Sequence, residues 1–232
     1  MASALLLLKE ANLLDDQYIH LIRNHPYAKD RMASALLLLK NANSLDDQYI
    51  HLIRNHHYPK DMVSALLLLK EANLLNDQYI TLISNHYSHK YMASALLLLK
   101  EANLLDDQYI HLIRNHNYPK DMASALLLLK DANLLDNQYV NLIRKHPHPK
   151  IMARTLVLLK NNGISNQKNI NLIKNSFHKN MIHILICLNN SNLLNKDNFE
   201  KLFNPRYEFL FRMKKYVNCF INYLIFIYTR RF

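Results

Sequence analysis

Apolar and polar positions alternate along this chain in two nested rhythms. In residues 92–102, Met92, Ala95, Leu96, Leu99 and Ala102 fall at i, i+3, i+4, i+7 and i+10, the spacing of one helix face. Leu97 and Leu98 widen that stripe nearly all the way round. A helix that apolar must be covered on most of its sides. A shorter amphipathic stretch follows, with Ile110 and Ile113 facing inward and Leu112 alongside. The pair then recurs, with units opening at Met1, Met32, Met62, Met92 and Met122 and, in decayed form, at Met152 and Met181. Repetition at about 30 residues signals a stacked-repeat architecture. The expected fold is therefore all-α, a solenoid of about seven stacked helix-turn-helix repeats.

Helix boundaries are written into the same unit. The first helix stops at Asn103, and the equivalent positions hold Asn12, Asn43, Asn73, Asn133, Asn192 and Gly163, the only glycine of the chain. Asn and Gly are the residues that tolerate the left-handed conformation just past a helix end. Leu104 then stands where a Schellman turn places its apolar contact, back onto Leu99. Asp106 caps the second helix, with Asp15, Asp46, Asn76, Asp136, Asn166 and Asn195 in its place elsewhere. All can accept from free backbone N–H groups. The second helix ends near His116. Asn117 and Tyr118 link to Pro119, which suits the first turn of the next helix. The extra residue Arg31 and the deletion before Met181 both fall in this link, where length variation is tolerated.

These residues resemble a tandem helical-hairpin repeat of about 30 residues found in proteins of Legionella-type intracellular bacteria. The matching stretch is Met122, Ala123, Ser124, Ala125 and Leu126, then Ala132, Asn133, Leu134, Leu135 and Asp136, then His146 and Pro149. The resemblance covers residues 1 to about 205. Asn replaces the family Gly, Asp or Asn the family N-cap Thr, and Met the leading Leu, each keeping the local physical role. The resemblance implies an α-solenoid of the kind that occurs in suspected host-directed bacterial effectors, here an effector or a fragment of one, and implies no chemistry.

Charge divides the chain. Residues 1–151 hold 16 Lys and Arg against 15 Asp and Glu, whereas residues 152–232 hold 13 against 3. The net charge of +11 thus belongs almost wholly to the C-terminal third. A nucleic-acid-binding array carries its basic residues along the whole binding face, so no nucleic acid is expected for the array, residues 1–205. Residues 206–232 form a separate basic and apolar segment, expected to be a C-terminal helix or tail. Its apolar run, residues 216–228, is too short to cross a bilayer comfortably. It can instead cover the last hairpin, lie on a membrane surface, or represent decay. Cys187 and Cys219 show no metal spacing and read as buried thiols of a reducing compartment. With no signal peptide and no full transmembrane span, a cytoplasmic location is expected, in the host cell if the protein is translocated.

Candidate chemistry is sparse. There is no Ser/His/Asp set, no evident Cys nucleophile and no Gly-rich phosphate loop, so neither an enzyme nor a cofactor is expected. The histidines at the ends of the second helices, His25, His56, His86, His116 and His146, invite a metal reading. Stacked helices place them about 9–10 Å apart, too far to share an ion, and a structural role at the helix end is expected. Lys9, Lys40, Lys70, Lys100, Lys130 and Lys160 fall in the last turn of the first helices, where dipole compensation and solubility account for them.

The outward stripe of the second helix is more informative. Residues Asp107, His111, Arg114 and Tyr118 are matched by Asp16, His20, Arg23 and Tyr27, by Asp47, His51, Arg54 and Tyr58, and in part by Asn137, Asn141, Arg144 and His148. Arg and Tyr are favoured interface anchors; the alternative is a solvated polar face steadied by Asp-to-His pairs four residues apart. The expected partner-binding face is thus His20, Arg23, Tyr27, His51, Arg54, Tyr58, His111, Arg114 and Tyr118. The expected function is a non-enzymatic protein-interaction scaffold. Two alternatives are membrane-surface attachment through the basic C-terminal segment and a decayed gene product without selected function. Met1 aligns with the leading Met of each unit, which predicts an uncapped N-terminal hairpin exposing Met1, Leu5, Leu6 and Leu8. An upstream extension or self-association through that hairpin would cover it.

Overall fold

A computed structural model describes residues 1–25, 29–176 and 181–203. Among the described residues there are fourteen helices and no strand. Helices α1 (Ala2–Glu10) and α2 (Asp16–Asn24) form the first hairpin, α3 (Lys29–Asn41) and α4 (Asp47–Ile53) the second, and α5 (Pro59–Glu71) and α6 (Asp77–Ser84) the third. They are followed by α7 (His89–Glu101) with α8 (Asp107–Arg114), α9 (Pro119–Asp131) with α10 (Asn137–Lys145), α11 (Pro149–Asn161) with α12 (Gln167–Ser176), and α13 (Met181–Asn190) with α14 (Lys196–Leu202). The described residues are all-α and form seven hairpins, as the repeat predicts.

The hairpins fall into two compact units, Met1–Ala123 and Ser124–Phe232. In the first unit, inner helices stack in sequence order: α1 on α3, α3 on α5, α5 on α7. Each outer helix packs on the inner helix that follows it, α2 on α3, α4 on α5 and α6 on α7. In the second unit α11 packs on both α10 and α13.

The packing explains the wide apolar stripe. In α7, Met92, Ala93, Ala95, Leu96 and Leu99 are completely buried, as are their counterparts in α3 and α5. Leu97 and Leu98 are half-buried. Small residues at two of the five buried positions let neighbouring inner helices approach closely. The outer helices contribute one face each; in α8 this is Ile110, Leu112 and Ile113.

The turns close as expected. Asn12, Asn43, Asn73, Asn103, Asn133 and Asn192 have φ between 48° and 55°, and Gly163 has φ 66°. At the end of α7, Leu104 N–H donates to the Leu99 carbonyl (2.8 Å) and Asn103 N–H to the Lys100 carbonyl (2.9 Å), the paired bonds of a Schellman turn. The seven predicted N-caps also hold. Asp15, Asp46, Asn76, Asp106 and Asp136 accept from the backbone N–H of Tyr18, Tyr49, Tyr79, Tyr109 and Tyr139. Asn166 and Asn195 accept in the same way from Asn169 and Asn198.

Two expectations change. The lysine ladder does more than compensate its own helix: Lys40 donates to the Ala11 carbonyl, Lys100 to that of Ala72 and Lys160 to that of Ala132. Each lysine closes an orphan carbonyl at the end of the preceding inner helix. Lys70 takes another route. It donates to Ser44 Oγ (2.7 Å), and that hydroxyl donates to the Ala42 carbonyl (3.0 Å). Second, the apolar end is smaller than predicted. Leu6 is 57% exposed and Met1 40%, but Leu5 is half-buried and Leu8 is fully buried. Leu8 occupies the same position in its helix as the fully buried Leu39, and α1 packs on α3.

Candidate functional site

The outer helices position the candidate face. Their inward stripe points Ile, Leu and the N3 tyrosines at the core, which leaves His20, Arg23, His51, Arg54, His111 and Arg114 exposed. The i,i+3 spacing of His and Arg puts both on one side of each helix. Tyr58 and Tyr118 are exposed too, Tyr118 at 54%. They sit in the link at the start of the next inner helix and not on the outer helix. The predicted stripe of four is therefore two elements side by side. Tyr27 lies outside the described residues, as do Cys219 and the segment 206–232; of Cys187 only the backbone is described.

Side-chain contacts on this face also differ from the Asp-to-His pairing. Asn24 Nδ2 donates to His20 Nε2 (2.8 Å), and Asn115 Nδ2 donates to His111 Nε2 (2.9 Å). The amide four residues later, and not the carboxylate four residues earlier, orients each ring. Arg31, the inserted residue of the first link, lies over the Tyr58 ring at 5.2 Å. A guanidinium at that distance is attracted by the ring face.

The terminal histidines fill a structural place. His56, His86, His116 and His146 each accept at Nδ1 from the backbone N–H two residues on, in Tyr58, Ser88, Tyr118 and His148, at 2.9–3.3 Å. A backbone N–H can only donate, so Nδ1 carries no proton. His25 Nε2 donates to the His56 carbonyl of the next repeat (3.2 Å). Burial pushes the imidazole pKa of His25, His56, His86 and His146 down, and neighbouring histidines push further in the same direction. Among the described residues no group of three His, Cys, Asp or Glu could hold a metal ion.

Some well-placed residues escaped the sequence reading. Of the tyrosines at N3 of the outer helices, Tyr49 and Tyr79 are buried and Tyr18, Tyr109 and Tyr139 half-buried. Burial and the nearby N-cap or neighbouring Asp raise their phenol pKa values. Their spacing from Ile53 and Ile83, four residues, was the available signal. His89 stands where the neighbouring repeats have Pro59 and Pro119. Its Nδ1 donates to the Ile83 carbonyl (2.7 Å), and its ring meets His56 edge-on with centroids 4.4 Å apart.

Chemically, the exposed face offers cations, imidazoles and phenols at repeating positions. Among the described residues no helix is long and apolar enough to cross a membrane. No family model, curated protein or solved structure matches the chain, and the likeness to the hairpin repeats of Legionella-type bacteria rests on the quoted residues alone.

Proposed function

We propose that this chain is a non-enzymatic protein-interaction scaffold that binds a protein partner through the outer helices. One observation carries the reading. Histidine and arginine recur three residues apart on α2, on α4 with its C-cap Arg54, and on α8, exposed in all three, while the core positions beneath them are near-identical. A rigid stack that repeats one cation and one imidazole at fixed spacing presents a multivalent surface, and arginine is the charged side chain most favoured at interfaces. Chemistry would need one distinctive constellation instead.

Affinity capture with the purified chain tests this. The wild-type chain and a variant with Arg54→Glu and Arg114→Glu are compared, with circular dichroism confirming equal helicity. A partner retained by the wild type and lost by the variant supports the reading. Identical capture by both overturns it. The membrane alternative is separated by flotation with anionic vesicles, with and without residues 206–232. Flotation that depends on those residues favours surface attachment.

A further inference from the structure

The third repeat breaks the pattern on its outer face. Thr81 stands where the second and fourth repeats carry His51 and His111, and Ser84 where they carry Arg54 and Arg114. Beside Thr81 a groove of about 530 Å³ opens between α6 and α8. Leu82 and Ile110 give it an apolar floor. Asp77 and Asp107 lie in the first turns of the two helices, and Arg114 with His111 in the last turn of α8. Seven residues of helix separate Asp107 from Arg114, which is about 10 Å along the axis. Among the described residues no hydrogen bond or ion pair occupies the carboxylates of Asp77 and Asp107 or the guanidinium of Arg114.

We infer that this groove binds an extended peptide segment that carries a basic, an apolar and an acidic side chain at alternate positions. Alternate residues of an extended chain share one face, and two such steps span about 13 Å, close to the separation of the opposite charges. The basic side chain meets Asp77 and Asp107, the apolar one rests on Leu82 and Ile110, and the acidic one meets Arg114. A carboxylate facing a guanidinium can form two parallel hydrogen bonds. The inference rests on the outer helices being the protein-binding face, and it places the most selective site at the repeat where threonine and serine replace the histidine and arginine of its two neighbours.

The test uses labelled peptides and fluorescence anisotropy on the full chain. The probe is Gly-Lys-Ser-Leu-Ser-Glu-Gly; the controls replace Glu by Lys, Lys by Glu, or Leu by Ser. The mixed-charge probe should bind saturably and at least about tenfold more tightly than any control, a difference of one good charge pair or apolar contact. Thr81→His restores the side chain that other repeats carry, so it should fold; it fills the groove and should abolish binding with helicity unchanged. Arg114→Glu should shift preference to the peptide with two lysines. Absence of binding, equal binding of all four peptides, or binding unaffected by Thr81→His overturns the inference. If Arg54→Glu removes peptide binding and Thr81→His does not, the groove is wrong and the scaffold reading stands. If the peptide binds as described but protein capture is insensitive to Arg54 and Arg114, the scaffold reading fails and the groove stands. Concentration-dependent dimerisation abolished by Thr81→His would assign the groove to a second copy and overturn the peptide assignment.

Discussion

The ammonium of Lys100 donates to the carbonyl oxygen of Ala72, the residue that ends the preceding inner helix. This bond crosses from one repeat to the next. It closes an acceptor that the helix cannot satisfy itself and puts a positive charge at the negative end of that helix. Lys100→Met keeps the apolar stem and removes the bond. It should cost about 1 kcal/mol, the value for a hydrogen bond to a charged group discounted for exposure. Urea unfolding checks this against Glu101→Gln, which should stay within about 0.5 kcal/mol.

Ser44 gives the complementary prediction. It occupies the place of Leu74 and Leu104 and relays Lys70 to the Ala42 carbonyl. Ser44→Leu restores the repeat and should let Lys70 reach Ala42 directly. Stability should stay level or rise by about 1 kcal/mol, from the added buried methylenes. A loss of more than about 1 kcal/mol would mean that the serine is required by its surroundings.

The left-handed turns respond to backbone chemistry alone. A Cβ at Gly163 would meet nothing within 4 Å, yet φ is 66°. Gly163→Ala should therefore cost about 1–2 kcal/mol, the strain of an L-residue in that region. Gly163→Asn should cost less, because asparagine already serves at the six equivalent positions. Leu99→Ala, at a fully buried position, should cost about 2–5 kcal/mol through transfer and cavity terms.

Much of this was readable because local and tertiary demands coincide. Asn103 and Asp106 mark their turns by conformational preference, which neighbours do not alter. The reach of Lys100 to another repeat was not readable: the sequence places lysine at its own helix end, and only the stacking distance brings Ala72 within range. The same holds for His56 and His89, which meet across a repeat boundary. Tyr118 was assigned to the outer stripe because its spacing of four from Arg114 fits a helix that in fact ends at Arg114. The groove at Thr81 depends on what is missing between two helices, and residue spacing carries no volume.

Stability should depend on pH through the terminal histidines. Folding lowers the pKa of His25, His56, His86 and His146 below the ordinary imidazole value of 6.5. The unfolded chain therefore binds more protons as pH falls below that value, and the folded state loses stability. Stability should be full above about pH 7 and decline as the pH falls below about 6.5. Replacing His86 and His146 by Asn keeps an acceptor for the backbone N–H and should flatten the decline, measured as the thermal midpoint at pH 5 against pH 7.5. An unchanged slope would remove these rings from the titration.

The most direct test of the outer face is a photo-crosslinking scan. A photoreactive amino acid replaces His51, Arg54, His111 or Arg114 on the outer helices, or Glu71 or Glu101 at the exposed ends of inner helices, one position at a time. The account predicts adducts to the same protein partner from the four outer positions and background labelling from the two glutamate positions. Equal labelling at all six, or labelling confined to Glu71 and Glu101, would contradict it.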